Sequence, residues 1–287
     1  MSPEPLNRRQ ALGALGAVSL SGLLAACGSD EDTAGSVTTT NGSTANGSTA
    51  TVETKTSTTT SSPRLTAEQF DSAATCEVAT ELTEGPYYFD VDSIRSDIRE
   101  DQEGTLLRLG VRVRDAERCE PIENAIVDVW HCDALGIYSG FESSSEGSGG
   151  GGAPPSGEAP PEDGQQPGDA GAGGSSRSDD ETYLRGAQAT NSDGIVEFKT
   201  IYPGWYRGRT THVHAKVHLD KATLLTTQFF TTKAMDDIVY AREPYSEDTG
   251  RDTFNESDNI YVEEGELTLT EEGKGVVGLI TLDVKRT

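Results

Sequence analysis

The chain has 287 residues, of which 48 are acidic and 23 basic, so its formal net charge is −25. This length allows one domain of good size together with additional segments. Nucleic-acid binding requires clustered Lys and Arg side chains that contact phosphates, and the acidic excess therefore excludes nucleic acid as an expected partner. The same excess predicts a well-solvated surface and carries no information about a substrate.

The first 27 residues have the pattern of an export signal. Arg8 and Arg9 precede an apolar run, 11–26, that is too short to cross a bilayer. The arginine pair resembles a twin-arginine signal, which exports folded proteins, and the sequence LAAC ending at Cys27 resembles a lipobox. We therefore expect lipidation of Cys27 and an extracytoplasmic protein, secreted or held at the membrane only by this lipid. An ordinary secretory signal with an incidental cysteine is the alternative.

Two stretches have the composition of disordered chain. Residues 28–64 are rich in Ser, Thr, Gly and Asn, and residues 142–181 consist almost entirely of Gly, Ser, Pro, Glu and Asp. Neither stretch can bury enough apolar surface to offset its conformational entropy. The first is predicted to be a flexible tether and the second a disordered insertion between two strands. The insertion would either gate a nearby site or be an inert variation in loop length.

Residues 65–287 carry the pattern of a folded β domain. From 107 to 113, leucine and valine alternate with arginine and glycine, and this period of two predicts a strand with one buried face. A turn is predicted over 115–121. Further strands are predicted at 125–130, 195–198, 211–219, 224–230 and 267–284, the last with a glycine-containing turn.

Helical periodicity is almost absent from this domain, with room for short helices near Thr66 or Asp236 only. The dipeptide Asp193-Gly194 is a hairpin-turn signal. Strands that recur at short intervals predict an all-β sandwich of two mixed or antiparallel sheets with long loops and few short helices.

Three cysteines lie in the folded domain, namely Cys76, Cys119 and Cys132. Three thiols in an exported protein allow one disulfide and leave one thiol free. Cys119 and Cys132 flank a predicted strand that would hold them roughly 30 Å apart, whereas the Cα atoms of a disulfide are about 6 Å apart. Cys76 is therefore the expected common partner. We expect it to pair with Cys132, because both are predicted to lie near the TEGPYY loop, and Cys119 remains the alternative.

The stretch from 202 to 218 contains the candidate metal ligands His212 and His214. Side chains at i and i+2 of a strand point to the same face, so both imidazoles could bind one metal ion. The pattern His-x-His also fits a simple polar strand face. Tyr206 and Arg209 lie close in sequence, and the upstream motif WHCDALGIYSG adds Tyr138, so a metal site is favoured.

Two imidazoles and two phenols form an unusual set of ligands. Zinc sites prefer Cys, His and carboxylates, and oxygen-activating ferrous sites prefer two histidines and one carboxylate. A phenol has an ordinary pKa near about 10 and loses its proton readily only to a strong Lewis acid. Phenolate is a hard, electron-rich donor, so the set predicts Fe(III).

The motifs TEGPYY, WHCDALGIYSG and RGAQATNSDGIVEFKTIYPGWYRGRTTHVH resemble those of the intradiol ring-cleavage dioxygenases, the family of catechol and protocatechuate dioxygenases. The resemblance is greatest to the secreted single-domain branch and covers about Cys76 to Val284. It implies a β-sandwich that holds one Fe(III) per chain. It also implies that the protein uses O2 to open an aromatic ortho-diol between its two hydroxyl carbons, which gives a muconate-type diacid.

The resemblance also implies roles for individual residues. Tyr138 corresponds to the equatorial tyrosinate and Tyr206 to the axial tyrosinate, which leaves the iron and takes a proton when substrate arrives. His212 and His214 correspond to the paired histidine ligands. Arg209 corresponds to the arginine that stabilises negative charge on the substrate ring.

Further residues match the family around this centre. Gln228 corresponds to a glutamine near the oxygen pocket, and Gly85, Pro86 and Tyr87 correspond to the loop that lines the substrate slot. His131 has no counterpart in the ligand set and is expected to be a hydrogen-bonded structural histidine.

The motifs determine neither the oligomeric state nor the substrate. The chain has no long helical N-terminal region of the kind that builds the dimer interface in intracellular members, so their oligomeric states do not transfer. The motifs leave the aromatic diol open. The alternative function is a surface-anchored β-sandwich that binds an aromatic ligand or a protein partner without turnover.

Overall fold

The computed structural model describes residues 63–70, 76–145 and 177–286. The predicted signal and nearly all of the predicted tether lie outside these residues, as does the central part of the predicted insertion. The described residues from position 64 onward belong to one compact unit. Among the described residues, no helix is long and apolar enough to cross a membrane.

The first sheet is built on the alternating segment that the sequence predicts as a strand. Leu107, Leu109, Val111 and Val113 are completely buried along strand β1, Leu106–Asp115. The sheet also contains β4 (Ile195–Ile201), β7 (Thr268–Glu272) and β8 (Gly275–Val284). Its order is β4-β1-β8-β7, with β1 and β8 parallel and the other pairs antiparallel.

The second sheet carries the histidines. It consists of β2 (Ile126–Trp130), β3 (Arg185–Ala189), β5 (His212–Leu219) and β6 (Ala222–Phe230), and its order is β3-β2-β5-β6 with all pairs antiparallel. The apolar faces of the two sheets pack together and form the main core. The prediction of an all-β sandwich is confirmed.

In the part of the chain that the structure describes, helical elements are few and short. The longest is the helix Lys233–Val239, where the Thr232 side chain accepts a hydrogen bond from the Met235 backbone and caps the first turn. A one-turn helix spans Glu142–Ser145. Short 3-10 turns lie at Ala67–Gln69, Tyr245–Glu247, Asn255–Ser257 and Glu263–Gly265.

The turn at Asp193-Gly194 does not close a hairpin. It connects β3 to β4, and these strands lie in different sheets. A two-residue turn signal describes the local reversal of the chain but not the partner of the strand that follows. Strand β3 has no predicted counterpart because its sequence, RGAQA, contains no β-branched residue. Its Gly186 is closely covered, since a Cβ there would lie 2.7 Å from Ile98.

The predicted disulfide partner is wrong. Cys76 is bonded to Cys119, and Cys132 is free and buried. Val78 pairs with Asp283 near the end of β8, and Ala116 in the β1–β2 turn donates a hydrogen bond to Val284. Both cysteines therefore lie near the same end of the first sheet, a proximity that arises only from tertiary pairing.

The two ends of the predicted insertion belong to the folded domain. Ser145 is buried, and its hydroxyl accepts a hydrogen bond from the Tyr138 backbone at 3.0 Å. At the other end, Ser178 donates to the carbonyl of Gly140 at 2.8 Å. The prediction of disorder over 142–181 therefore does not hold at 142–145 or 177–181, and residues 146–176 lie outside the described part.

Candidate active site

The candidate site lies on the outer face of the second sheet. Along β5, Val213 and Ala215 point into the core, so the alternation of a strand directs His212 and His214 to the opposite face. On the neighbouring strands, Trp130 and Gln228 are the register partners of His214. Loops cover this outer face, and both histidines are buried.

The four predicted ligands converge on one point. From Nε2 of His212, the distance is 3.1 Å to Nε2 of His214, 3.0 Å to the Tyr206 hydroxyl and 3.5 Å to the Tyr138 hydroxyl. Tyr206 comes from the loop before β5 and Tyr138 from the loop after β2. The structure therefore gathers residues that are up to 76 positions apart in sequence.

The orientation of His212 is fixed by a backbone contact. Its Nδ1 lies 2.6 Å from the carbonyl oxygen of Thr210, and because a carbonyl can only accept, Nδ1 carries the proton. Nε2 then presents a lone pair to the centre. Burial and the nearby positive charge of Arg209 hold the pKa of His212 well below its ordinary value, so the ring is a neutral donor.

Burial also affects the two phenols. It raises the pKa of Tyr206 to about 12, although Arg209 opposes the rise, and it raises the pKa of Tyr138 well above the ordinary value of a phenol. Both hydroxyls therefore remain protonated at neutral pH unless a strong Lewis acid binds to them. Such a cation would find two oxygen and two nitrogen donors already assembled.

This donor set fits ferric iron. Among the described residues, no cluster of three or more His, Cys, Asp or Glu side chains could hold a metal ion. The four donors at this centre include two phenols, which become hard anionic ligands on ionisation. Two imidazole lone pairs complete the set.

Arg209 lies beside the donors and is held from two sides. Its Nη1 lies 3.5 Å from Nε2 of His212, its Nε donates to Asp258 at 2.9 Å, and its Nη2 donates to Gln228. Asp258 also accepts hydrogen bonds from the backbone of Thr210 and Ile260. Its carboxylate therefore fixes the guanidinium next to the centre.

The predicted substrate loop lies against the same centre. Gly85 packs on the imidazole of His214, and the half-buried Pro86 follows it. The ring of Tyr87 is 4.8 Å from that of Tyr138 and 5.2 Å from that of Phe141. The loop therefore forms an aromatic wall next to the ligands.

The chain is similar in sequence and in structure to known dioxygenases. No protein-family model matches the chain. Catechol 1,2-dioxygenase 1 of Acinetobacter lwoffii is 28% identical over 71% of this chain and 66% of its own length, so the match spans just under two thirds of that relative. The structure of an intradiol ring-cleavage dioxygenase from Tetranychus urticae superimposes with a TM-score of 0.61 and 28% identity, over 73% of this chain and 95% of the other.

By sequence and by fold, the domain is similar to intradiol ring-cleavage dioxygenases. The predicted resemblance to this family is therefore confirmed, as is the sandwich fold, whereas the assignment to the secreted branch stays a prediction. The comparisons support the family and the fold, and the roles of individual residues rest on the geometry of the site.

The other two histidines of the intradiol-dioxygenase-like domain do not join the donors. His131 is bonded at both ring nitrogens, to the Cys132 carbonyl and to the Thr200 hydroxyl, each at 2.7 Å. Burial lowers the pKa of His131 to about 4, so it is a neutral structural residue. His218 lies further along β5 and contacts Thr223 at 3.0 Å.

Sequence reasoning missed Asp258 and Arg185. Arg185 is fully buried, and its guanidinium donates to the carbonyl of Tyr87, to the carbonyl of Ser139 and to the Ser139 hydroxyl, at 2.7 to 2.8 Å. It thereby joins the aromatic wall to the loop that carries Tyr138. Asp258 stands in no recognisable pattern, whereas Arg185 is the first residue of the motif that begins RGAQATNSDG. The charge of Arg185 is itself a signal, because the rest of the segment RGAQA is small or polar.

Proposed function

We propose that the protein is a ferric-iron-dependent intradiol dioxygenase that uses O2 to convert catechol-type diols into muconate-type diacids. The observation that carries this proposal is the convergence of Tyr138, Tyr206, His212 and His214 around one point, with their donor atoms 3.0 to 3.5 Å from Nε2 of His212. The similarity to a catechol dioxygenase and to an intradiol dioxygenase structure supports it.

These four side chains would hold one iron ion per chain. Ferric iron held by these residues would supply Lewis acidity, which would polarise the diol for reaction with O2. The chain itself supplies the buried environment, the orientation of the substrate and the handling of protons and charge.

Tyr206 is the residue placed to accept a proton from the diol. Its hydroxyl lies beside the donor nitrogens, and its pKa of about 12 means that the free phenolate is a strong base in this environment. Once protonated, it keeps the proton at neutral pH. Arg209, which is adjacent, would stabilise the phenolate until that transfer takes place.

Arg209 is also the residue placed to stabilise negative charge on the ring. Asp258 and Gln228 fix its guanidinium before any substrate binds, so little reorganisation is needed as charge develops. Gln228 is held in turn by a hydrogen bond to the carbonyl of Thr83 at 2.8 Å. Gln228 therefore links the arginine to the substrate loop.

The aromatic wall would orient the substrate and exclude water. Tyr87 and Phe141 offer ring faces beside Tyr138, and aromatic rings pack favourably against one another at these distances. Gly85 and Pro86 complete this side of the slot. The diol itself is left open by the geometry, and catechol, substituted catechols, protocatechuate and lignin-derived diols are all candidates.

The test is iron content and colour followed by turnover. We expect purified protein to bind one iron ion per chain and to be reddish because of charge transfer from tyrosinate to Fe(III). Oxygen uptake with a panel of diols should then identify the substrate. His218→Ala is a matched control for His212→Ala, because His218 lies on the same strand outside the donor cluster. A colourless wild-type protein that still binds diols would favour the binding-module function.

We also propose that the protein is exported by a twin-arginine-like route and attached through a lipid on Cys27, on the basis of the sequence pattern alone. Replacement of Arg8 and Arg9 by lysine should reduce export, and Cys27→Ala should abolish incorporation of labelled fatty acid. Equal labelling of the wild type and Cys27→Ala would contradict lipidation at this position.

A further inference from the structure

The two candidate histidine ligands are held in different ways. Nδ1 of His212 donates to the Thr210 carbonyl, whereas Nδ1 of His214 is buried with no hydrogen-bond partner among the described residues. A histidine that binds a metal normally donates its second nitrogen to an acceptor, which fixes the ring. His214 lacks this support, so another contact must fix its orientation.

The imidazole of His214 is instead held by an aromatic ring that stacks on it. The indole of Trp130 is stacked with His214, with ring centroids 5.0 Å apart and planes inclined by 8°. The two residues are register partners on β2 and β5, so the backbone sets their separation. Trp130 is itself almost completely buried, and its Nε1 has no partner in the described part of the chain. Its position therefore depends on packing and not on hydrogen bonding.

Gly85 packs on His214 as well. A Cβ at position 85 would lie 3.0 Å from Cε1 of His214, and the backbone there has a φ of +77°. Only glycine adopts this conformation freely and leaves this space. The imidazole of His214 is thus confined by Trp130 and by the substrate loop.

We propose that Trp130 is the positioning residue for His214, and that its stacking replaces the hydrogen bond that orients His212. This proposal rests on the proposed function, since it assigns Trp130 a part in holding the iron. It predicts that loss of the indole loosens the imidazole of His214, while the imidazole of His212 keeps its hydrogen bond to the Thr210 carbonyl.

The experiment compares Trp130→Leu and Trp130→Phe with a control, Phe230→Leu. Phe230 is a buried aromatic whose ring centroid is 6.5 Å from that of His212, which keeps its hydrogen bond in the variant. Iron loss to a chelator is followed by the decay of the visible absorption. Loss of a supporting contact around a ligand typically weakens metal affinity by about ten- to a hundredfold. We expect iron loss from Trp130→Leu to be faster than from the wild type by a factor in this range.

The remaining expectations separate positioning from general stability. Trp130→Phe should lose iron within about threefold of the wild-type rate, because a benzyl ring can still stack on His214. Phe230→Leu should lose stability as metal-free protein but keep iron almost as the wild type does. Iron loss from Trp130→Leu at the wild-type rate, or equal acceleration in Phe230→Leu, would overturn the proposal.

A metal-free measurement distinguishes this inference from the proposed function. An imidazole that Trp130 no longer holds should sample several orientations, so the Cε1 proton signal of His214 should broaden in Trp130→Leu while that of His212 stays sharp. A His214 signal that moves because the ring current is lost but stays sharp would count against Trp130. If the wild type binds no iron, the proposed function fails, and the NMR comparison still decides whether Trp130 orients His214. Equal changes in both histidine signals would count against Trp130.

Discussion

Asp258 accepts a hydrogen bond from Arg209 at 2.9 Å, and its side chain is completely buried. A buried carboxylate beside the proposed charge-stabilising arginine has two effects. It fixes the direction of the guanidinium, and it makes the arginine part of a buried ion pair whose disruption costs stability.

Replacement of Arg209 by Leu should separate binding from chemistry. Arg209 lies outside the four donors, so colour and the spectral change on diol binding should persist. Turnover should fall about a hundredfold or more, since one well-placed charge-stabilising group contributes about 3 kcal/mol in the transition state. Stopped-flow absorbance and oxygen uptake measure the two effects separately. Turnover near the wild-type rate would show that Arg209 is a packing residue, whereas loss of iron would give it a structural role.

The ion pair supplies the control for that variant. Arg209→Leu leaves the Asp258 charge buried without its partner, and breaking such a pair from one side typically costs about 3–5 kcal/mol. The double variant Arg209→Leu, Asp258→Asn should be more stable than the single variant while it remains equally slow. Urea unfolding of both proteins checks the first point. Recovery of turnover in the double variant would contradict the assigned role of Arg209.

The four donors should act as one unit. Tyr138→Phe and His212→Ala each remove one donor from the cluster around Nε2 of His212, so both should lose visible absorption and activity together. Metal analysis and absorbance on the same samples measure the effect. Full iron content and colour in either variant would remove that residue from the ligand set.

The disulfide should contribute to stability and leave Cys132 free. Cys76 and Cys119 are 43 residues apart, and a bridge across such a loop typically adds about 2–4 kcal/mol. Cys119→Ser should lower the free energy of unfolding by this amount. Peptide mapping under non-reducing conditions should give a Cys76–Cys119 pair in the wild type and in Cys132→Ser. A pair that contains Cys132 would contradict the structure.

Asp128 should make the folded state less stable as the pH rises. Burial raises the pKa of Asp128 to about 7, while the hydrogen bond from Tyr88 and the charges of Lys216 and Arg185 oppose the rise. The ordinary pKa of 3.8 applies in the unfolded chain, so the folded state binds the proton more tightly between about pH 4 and pH 7. This contribution to stability is complete below pH 4 and is lost as the pH rises through 7.

Asp128→Asn should remove that dependence. Each pKa unit corresponds to about 1.4 kcal/mol, so wild-type stability should fall on the order of 2 kcal/mol more than that of the variant between pH 5 and pH 8. Urea unfolding at both pH values measures this difference. The exposed Asp237→Asn is the control and should behave as the wild type does. Parallel pH profiles for wild type and Asp128→Asn would refute the assignment.

Local alternation explains what the sequence could predict. The period of two along β1 and the spacing of His212 and His214 are properties of a single strand, and both follow directly from the order of residues. The same holds for the general sandwich architecture. The motifs added Tyr138 and Tyr206, which the structure places beside the histidines.

Tertiary relationships explain what the sequence could not predict. Asp258 lies 49 residues from Arg209, in a loop whose only local signal is a 3-10 turn. The choice of Cys119 over Cys132 depends on where the β1–β2 turn meets the end of β8. Strand β3 was not predicted because Gly186 and Ala187 have low strand propensity. These small residues suit the close packing around the strand.

Strand β5 carries the core on one face and the candidate ligands on the other. Val213, Ala215 and Val217 are buried in the sandwich, while His212 and His214 belong to the candidate site and Lys216 pairs with Glu84 of the substrate loop. The strand therefore has no neutral position between 212 and 217. A substitution at any of these positions should therefore disturb either the packing of the core or the candidate site, and changes that spare both belong in the covering loops.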